Sequence, residues 1–405
     1  MKVKTSRVYR TLQKHIDQLA FENKKMAFVS GPRQCGKTTL AKMIIDQKKG
    51  HYYNWDQTEF RRLWTKTPSQ IVKENPENLV VFDEIHKAKG WKRTLKGIFD
   101  TDGEKLKILV TGSARLNVFK KGGDSLMGRY VNFRLHGLSL GELIQQKIPT
   151  PQGFLKKIRT NADPINKVSQ DIYSRLYTFG GFPEPFIKSS QKWMEIWRRG
   201  RTEKIVREDL RDLSRLPELS QIEMLCSILP EKIGSPLSLQ SLAEDLEVSH
   251  HTIKRWVSYL NELYYLFLIR PFQKSISRSL KKEPKMYLYD WTENNNDAAR
   301  FENLVGAHLL KACHYWTDTG EGQFDLFYLR NKEKKEVDFL ITNKNTPWLS
   351  VECKLSDQNL DSSYFAFGSQ INCPHIQLLH KPNIWDKKAD GILVASAHLI
   401  LCYLP

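Results

Sequence analysis

Three stretches in the first part of the chain, MAFVS at 26–30, NLVVFDE at 78–84 and LKILVTGS at 106–113, are nearly unbroken apolar runs. Runs of that kind without strict alternation predict buried strands. TTLAKMIIDQ at 38–47 follows the first of them with a helical pattern. From residue 150 the pattern changes: TPQGFLKKIRTNADPINK is polar and carries Pro and Gly, which marks a boundary. KWMEIWRRGRTEKIVREDLRDLSRL at 192–216 then reads as helix with mixed charge, with Trp193, Trp197 and Ile205 toward the core. SLQSLAEDLEVSHHTIKRWVSYL predicts a short helix, a turn at 247–249 and a second helix opening at His250, and YYLFLIRPF predicts a strand after it, as in a winged helix. Lys254 and Arg255 stand where a recognition helix would meet DNA. FENLVGAHLLKACHYW at 301–316 is an amphipathic helix, three strands follow across 324–357, and HIQLLHK and ADGILVASAHLILCYLP close the chain.

At 405 residues the chain exceeds what one hydrophobic core usually supports, about 250–300 residues, so more than one module is expected. Its 63 Lys and Arg against 45 Asp and Glu give a net charge of +18, which favours a polyanionic partner, DNA first. The six cysteines have no paired spacing, which argues against a disulfide framework or a zinc cluster. The amino terminus, MKVKTSRVYRTL, lacks the apolar core of a signal peptide, and no apolar run approaches the ~18 residues of a membrane span. A cytoplasmic protein with no membrane partner is expected.

Gly31, Gly36, Lys37 and Thr38 satisfy G-x-x-x-x-G-K-S/T between a strand and a helix, the setting in which backbone amides and a helix N-terminus cradle phosphates. Lys37 would reach the β- and γ-phosphates, Thr38 would ligate Mg²⁺, and Thr39 adjoins them at the start of the helix. Asp83 and Glu84 end the second apolar run, where one carboxylate can serve Mg²⁺ and the other a water. Thr111 and Ser113 end the third, as polar groups that could sense the γ-phosphate or hold the water.

The order GPRQCGKTT, HYYNWDQTEFRRL, VVFDEIHK, VTGSARL, SLMGRY and GGFPEPF resembles the AAA-type ATPases that carry a C-terminal restriction-endonuclease-like domain, a bacterial and archaeal family. The resemblance spans nearly the whole chain. It implies a doubly wound parallel sheet with ATP at the carboxyl ends of its strands. It further implies Asp83 as the Mg²⁺-side carboxylate, Glu84 as catalytic base, and Ser113 or Thr111 as first sensor. Arg129, in SLMGRY, stands where such enzymes keep an arginine that reaches a neighbour's γ-phosphate, so self-association, as a hexameric ring, is implied. Gly181 and Pro183, in GGFPEPF, resemble an element packed near adenine. RLHGLSLGELI departs from the pattern, since relatives often carry a proline-containing stretch there.

At the carboxyl end, EVDF at 336–339 and ECK at 352–354 fit the PD-(D/E)xK nuclease pattern. Glu352 and Lys354, two apart on a strand, share a face. Asp338 and Glu352 would hold Mg²⁺ with Glu302 as accessory ligand, and Lys354 would act as the catalytic lysine on the attacking water. The expected fold is α/β: an AAA-type P-loop domain over 1–150, a helical lid or linker over 151–230, a winged helix over 231–280, and an α/β restriction-endonuclease-like domain over 281–405. The expected function is ATP-driven work on DNA, with a nuclease-like domain that binds DNA with or without Mg²⁺-dependent cleavage; a nucleotide-operated switch that controls a partner protein, with a vestigial nuclease domain, is the alternative.

Overall fold

The computed structural model describes residues 8–75, 79–103, 105–112, 126–145, 147–160, 167–210, 218–273, 282–356, 359–360, 365–367, 371–388 and 391–405. Ser113 lies outside the described residues. The chain forms two compact units: 9–137 with 262–264, and 138–261 with 265–405. No helix among the described residues is long and apolar enough to cross a membrane.

The first unit is built on five strands, β1 Met26–Ser30, β2 Gly50–Asn54, β3 Leu79–Asp83, β4 Lys107–Thr111 and β5 Tyr130–Arg134, in the order β2-β3-β4-β1-β5 with every pairing parallel. All of β1 and β3 and all but the first residue of β4 are buried, because helices cover both faces of a parallel sheet, and this accounts for their continuous apolar sequences. Phe28, Phe60, Trp64, Val80, Phe82, Trp91 and Val110 belong to one apolar cluster. Strands β2 and β5 form the two edges and are only partly covered. Because β1 leads to β2 on the far edge, its carboxyl end is a topological switch point, with the ends of β3 and β4 beside it.

The second unit holds an eight-stranded mixed sheet: β6 Leu266–Pro271, β7 Lys285–Leu288, β8 Phe324–Arg330, β9 Glu336–Asn343, β10 Thr346–Lys354, β11 His375–Leu379, β12 Trp385–Lys387 and β13 Leu393–Ser396, in the order β12-β13-β11-β10-β9-β8-β6-β7. Strand β9 runs antiparallel to both of its neighbours, β8 and β10, and β11 is parallel to β10. The 22-residue helix Asp297–Asp318 buries Phe301, Leu304, Val305, Leu309 and Trp316. Helices Leu239–Asp245 and His250–Glu262 form the expected helix-turn-helix, with Ser238 and Ser249 capping each through the backbone amide three residues on. Ile253, Trp256, Val257 and Leu260 face inward, leaving His250, His251 and Lys254 exposed.

Two features differ from the sequence reading. The units divide at Gly137 and Leu138, and the polar 150–167 stretch contains a real helix, Pro151–Arg159, capped by Thr150 and anchored by Phe154 against Trp316 and Trp348. The strand after the helix-turn-helix, β6, pairs with β8 through Arg270 and Pro271, so it belongs to the mixed sheet.

Candidate active site

Leaving β1, the chain turns at Gly31, where an added Cβ would stand 2.0 Å from the Leu135 carbonyl oxygen, so no side chain fits. Gly36 has φ of 100° and begins the helix Lys37–Lys48 from the left-handed region that glycine adopts without strain. Between them the loop folds back on itself: the buried Lys37 Nζ donates to the carbonyls of Gly31 (3.0 Å) and Pro32 (2.7 Å). A buried guanidinium, Arg10, braces the loop from outside, donating to the Cys35 carbonyl (2.9 Å) and to that of His136 (2.5 Å). A 12-residue helix aimed at a glycine loop that already curls around an ammonium fits a polyphosphate.

Beside this loop the register of the sheet aligns Asn54, Asp83 and Thr111 at three strand ends. Asp83 is buried and fully engaged by hydroxyls. Its Oδ1 accepts from Thr111 (2.6 Å), and its Oδ2 accepts from Thr38 (2.9 Å) and from the Tyr52 phenol. Burial and the carboxylate both push the Tyr52 phenol up, so it stays a donor. The three donors are hydroxyls that bring no counter-charge, and a Thr38 hydroxyl bonded to an aspartate is the pair that fits Mg²⁺. The next residue, Glu84, adopts φ of 56°, a conformation that costs a non-glycine residue about 1–3 kcal/mol and occurs where the surroundings enforce it. Its amide donates to the Thr111 carbonyl (2.9 Å), and its Oε2 lies 3.4 Å from His86 Nε2. Thr39 is exposed on the first turn of the helix.

Arg129 lies just before β5, and its carbonyl accepts from the Met26 amide at the start of β1. It is therefore at the amino-terminal edge of the sheet, opposite the loop, and it forms a two-pronged ion pair with Asp100 (2.6 and 3.1 Å). Gly181 and Pro183 belong to the second unit. Gly181 is pressed against the Leu138 carbonyl and the Trp291 ring, and Pro183 opens the helix Pro183–Lys188.

A second set of carboxylates converges in the mixed sheet. Asp338 on β9 accepts from the Cys353 amide of β10 (2.9 Å), and Glu352 on β10 accepts from the Asp338 amide (3.3 Å) while pairing with Lys354 (3.0 Å). Glu302 comes from the long helix and accepts from the Tyr287 phenol (2.6 Å). Lys285, at the start of β7 and 4% exposed, puts its Nζ 3.4 Å from Glu302, 3.5 Å from Asp338 and 3.5 Å from Glu336. Burial alone would lower the Lys285 pKa, but the three carboxylates outweigh it and the net shift is upward. Glu302 and Glu352 are both raised, by burial first and then by the charge of Asp338.

This geometry does not fit Mg²⁺. Among the described residues no group of three or more His, Cys, Asp and Glu side chains is disposed to hold a metal ion. A cation entering within 4 Å of the ammonium would meet ~4 kcal/mol of repulsion per unit charge at an effective dielectric of 20. Glu302 and Asp338 thus converge with Glu336 on Lys285, while Glu352 accepts from the Asp338 amide and pairs with Lys354, so the three expected ligands do not form a metal ligand set. Lys285, Tyr52 and Arg10 escaped sequence reasoning. The only signal for Lys285 is a lysine directly before the apolar MYLY.

Residues 23–144 match the model of the AAA domain, and residues 170–292 and 298–374 match two domains of unknown function, DUF8612 and DUF4143. An uncharacterized protein of Mycobacterium tuberculosis is 21% identical over 351 residues, 82% of this chain and 73% of its own. An uncharacterized protein of Methanocaldococcus jannaschii is 24% identical over 308 residues, covering 69% and 63%. Among solved structures, the Aeropyrum pernix Orc1 protein in complex with DNA aligns with a TM-score of 0.33 at 12% identity, covering 75% of this chain and 94% of that one, a likeness too distant to bear on function. The segment that matches the AAA domain, residues 23–144, contains the loop of Gly31, Lys37 and Thr38 with Asp83 and Glu84.

Proposed function

We propose that the chain hydrolyses ATP with Mg²⁺ and uses the energy to act on DNA. The observation that carries this reading is the bond from Thr38 to Asp83 beside a lysine-filled glycine loop, with Glu84 held at the same strand end. Lys37 would exchange its loop carbonyls for phosphate oxygens, while Thr38 and Asp83 would hold the metal. Bound there, Mg²⁺ supplies charge neutralisation for the β- and γ-phosphates. Glu84 would take the proton of the attacking water as the bond to the bridging oxygen breaks, leaving ADP and inorganic phosphate. Arg129 would serve a neighbouring subunit in a ring, and Thr111 and Ser113 would sense the γ-phosphate.

DNA as substrate is supported by the +18 charge, the exposed His250, His251 and Lys254 of the helix-turn-helix, and the nuclease-like sequence order of Glu302 on the long helix and Asp338, Glu352 and Lys354 on β9 and β10. The test is ATP turnover in Mg²⁺ with and without DNA, across a salt series. Stimulation that falls steeply with salt is expected. Lys37→Ala and Glu84→Gln should each reduce turnover by about 100-fold or more with the fold retained. Normal turnover in both variants removes the ATPase reading; turnover indifferent to every DNA favours the nucleotide-operated switch instead.

A further inference from the structure

We infer that Lys285 is the resident cation of the carboxylate cluster at the mixed sheet: its ammonium stands beside Glu302 and Asp338, two of the three residues expected to hold a divalent metal, so that the cluster excludes Mg²⁺ and Mn²⁺ until that lysine is removed. An ammonium has three N–H donors, and three carboxylates from two elements surround this one: Glu302 of the helix Asp297–Asp318, with Glu336 and Asp338 of β9. The aliphatic stem is buried and the Tyr328 ring lies 5.5 Å from the Nζ, so the side chain has no ready path to solvent.

Further oxygens of the cluster are engaged elsewhere. Asp338 Oδ2 takes the Cys353 amide, Glu336 Oε1 takes Arg330 (3.1 Å), and Glu352 Oε1 takes Lys354. Gly234 closes the far side of Glu302: a Cβ there would meet Oε2 at 2.9 Å. A hard divalent ion needs several oxygens pointed at one centre about 2.0–2.6 Å away, and here the common centre is already a nitrogen. Lys354 alone would have matched the nuclease pattern; a second, fully enclosed lysine is what the pattern does not contain.

The inference concerns the second unit and is independent of ATP turnover, so it can fail while the ATPase reading stands. Its test is Mn²⁺ binding to nucleotide-free protein, read by electron paramagnetic resonance, for wild type, Asp338→Asn, Lys285→Met and the double variant. Wild type and Asp338→Asn should bind the same number of ions. Lys285→Met should gain one site at least tenfold tighter than any in wild type, and the double variant should lose it again. Loss of an ion from wild type on Asp338→Asn overturns the proposal, because the cluster then holds metal with Lys285 present. So does a Lys285→Met protein that keeps its circular-dichroism spectrum and gains nothing. If Lys285→Met fails to fold, the comparison of wild type with Asp338→Asn decides alone.

Discussion

The two units each gather acidic side chains at strand ends, and they neutralise them in opposite ways. In the parallel sheet, Asp83 is held by three hydroxyls, from Thr38, Thr111 and Tyr52. Hydroxyls satisfy lone pairs without cancelling charge, so the carboxylate keeps its full attraction for an incoming cation. At the mixed sheet, Glu302, Glu336 and Asp338 share the Lys285 ammonium and Glu352 has Lys354, so the carboxylate charge is offset by cations already in place. The donor type, more than the number of carboxylates, separates a site that can recruit Mg²⁺ from one that does not.

The comparison breaks most visibly at Lys285. Removing one partner of a buried ion cluster leaves uncompensated charge, so Lys285→Met should cost about 3–5 kcal/mol of stability in chemical denaturation, partly restored when Mn²⁺ is added. A change below 1 kcal/mol would mean that the lysine is a spectator among carboxylates that are protonated anyway.

Glu293 sharpens the contrast, because it has both kinds of partner: it accepts from the Tyr265 phenol (2.8 Å) and lies 3.7 Å from the buried Arg201 guanidinium. Burial, then the neighbouring Asp290, raise its pKa from 4.5 to about 7, so these partners do not offset the loss of water. A carboxyl group with a raised folded pKa binds its proton more tightly when folded. Its penalty is therefore absent below pH 4.5, grows as pH rises toward 7, and is complete above, reaching about 3 kcal/mol. Glu293→Gln should flatten that part of the stability-against-pH curve; an unchanged slope would show that Arg201 keeps the group charged.

Tyr52→Phe probes the hydroxyl side with a smaller change. The ring stays and only the donor to Asp83 is lost, which should cost about 1.5–3 kcal/mol for a bond to a buried charge, or several degrees in Tm. Turnover should fall less than in Lys37→Ala, since Thr38 and Thr111 still position the carboxylate. A Tm identical to wild type would show that Thr38 and Thr111 alone satisfy Asp83.

How much of this was readable in advance follows from burial. Strands β1, β3 and β4 are covered on both faces, so their apolar runs announced them and carried Asp83, Glu84 and Thr111 with them. Edge strands β2 and β5 alternate weakly as HYYN and YVNFR, which hid Tyr52 at a strand end. The order EVDF and ECK revealed Asp338, Glu352 and Lys354, because residues two apart on a strand must share a face. Lys285 was invisible: 53 residues before Asp338 in sequence, it reaches the cluster only because β7 and the helix Asp297–Asp318 are packed there by the whole unit. The helix Pro151–Arg159 was hidden for a related reason, since Pro and Gly in 150–167 look like a linker until Phe154 finds its tryptophans.

Arg129 carries the smallest expected effect on folding and a separate question for function. Its pair with Asp100 is exposed to solvent on both sides, so Arg129→Ala should leave Tm unchanged. From the start of β5 the carboxyl ends of the sheet are about 13 Å away along a five-residue strand, too far for this side chain to reach its own phosphate loop. If Arg129 completes a neighbour's site, turnover per subunit should fall in Arg129→Ala and lose any dependence on protein concentration. Mixing settles the matter: a Lys37→Ala subunit lacks its own site but still offers Arg129, while an Arg129→Ala subunit keeps its site and lacks the arginine. Together the two inactive proteins should recover part of the lost turnover, whereas a mixture no better than its components would confine Arg129 to its surface pair with Asp100.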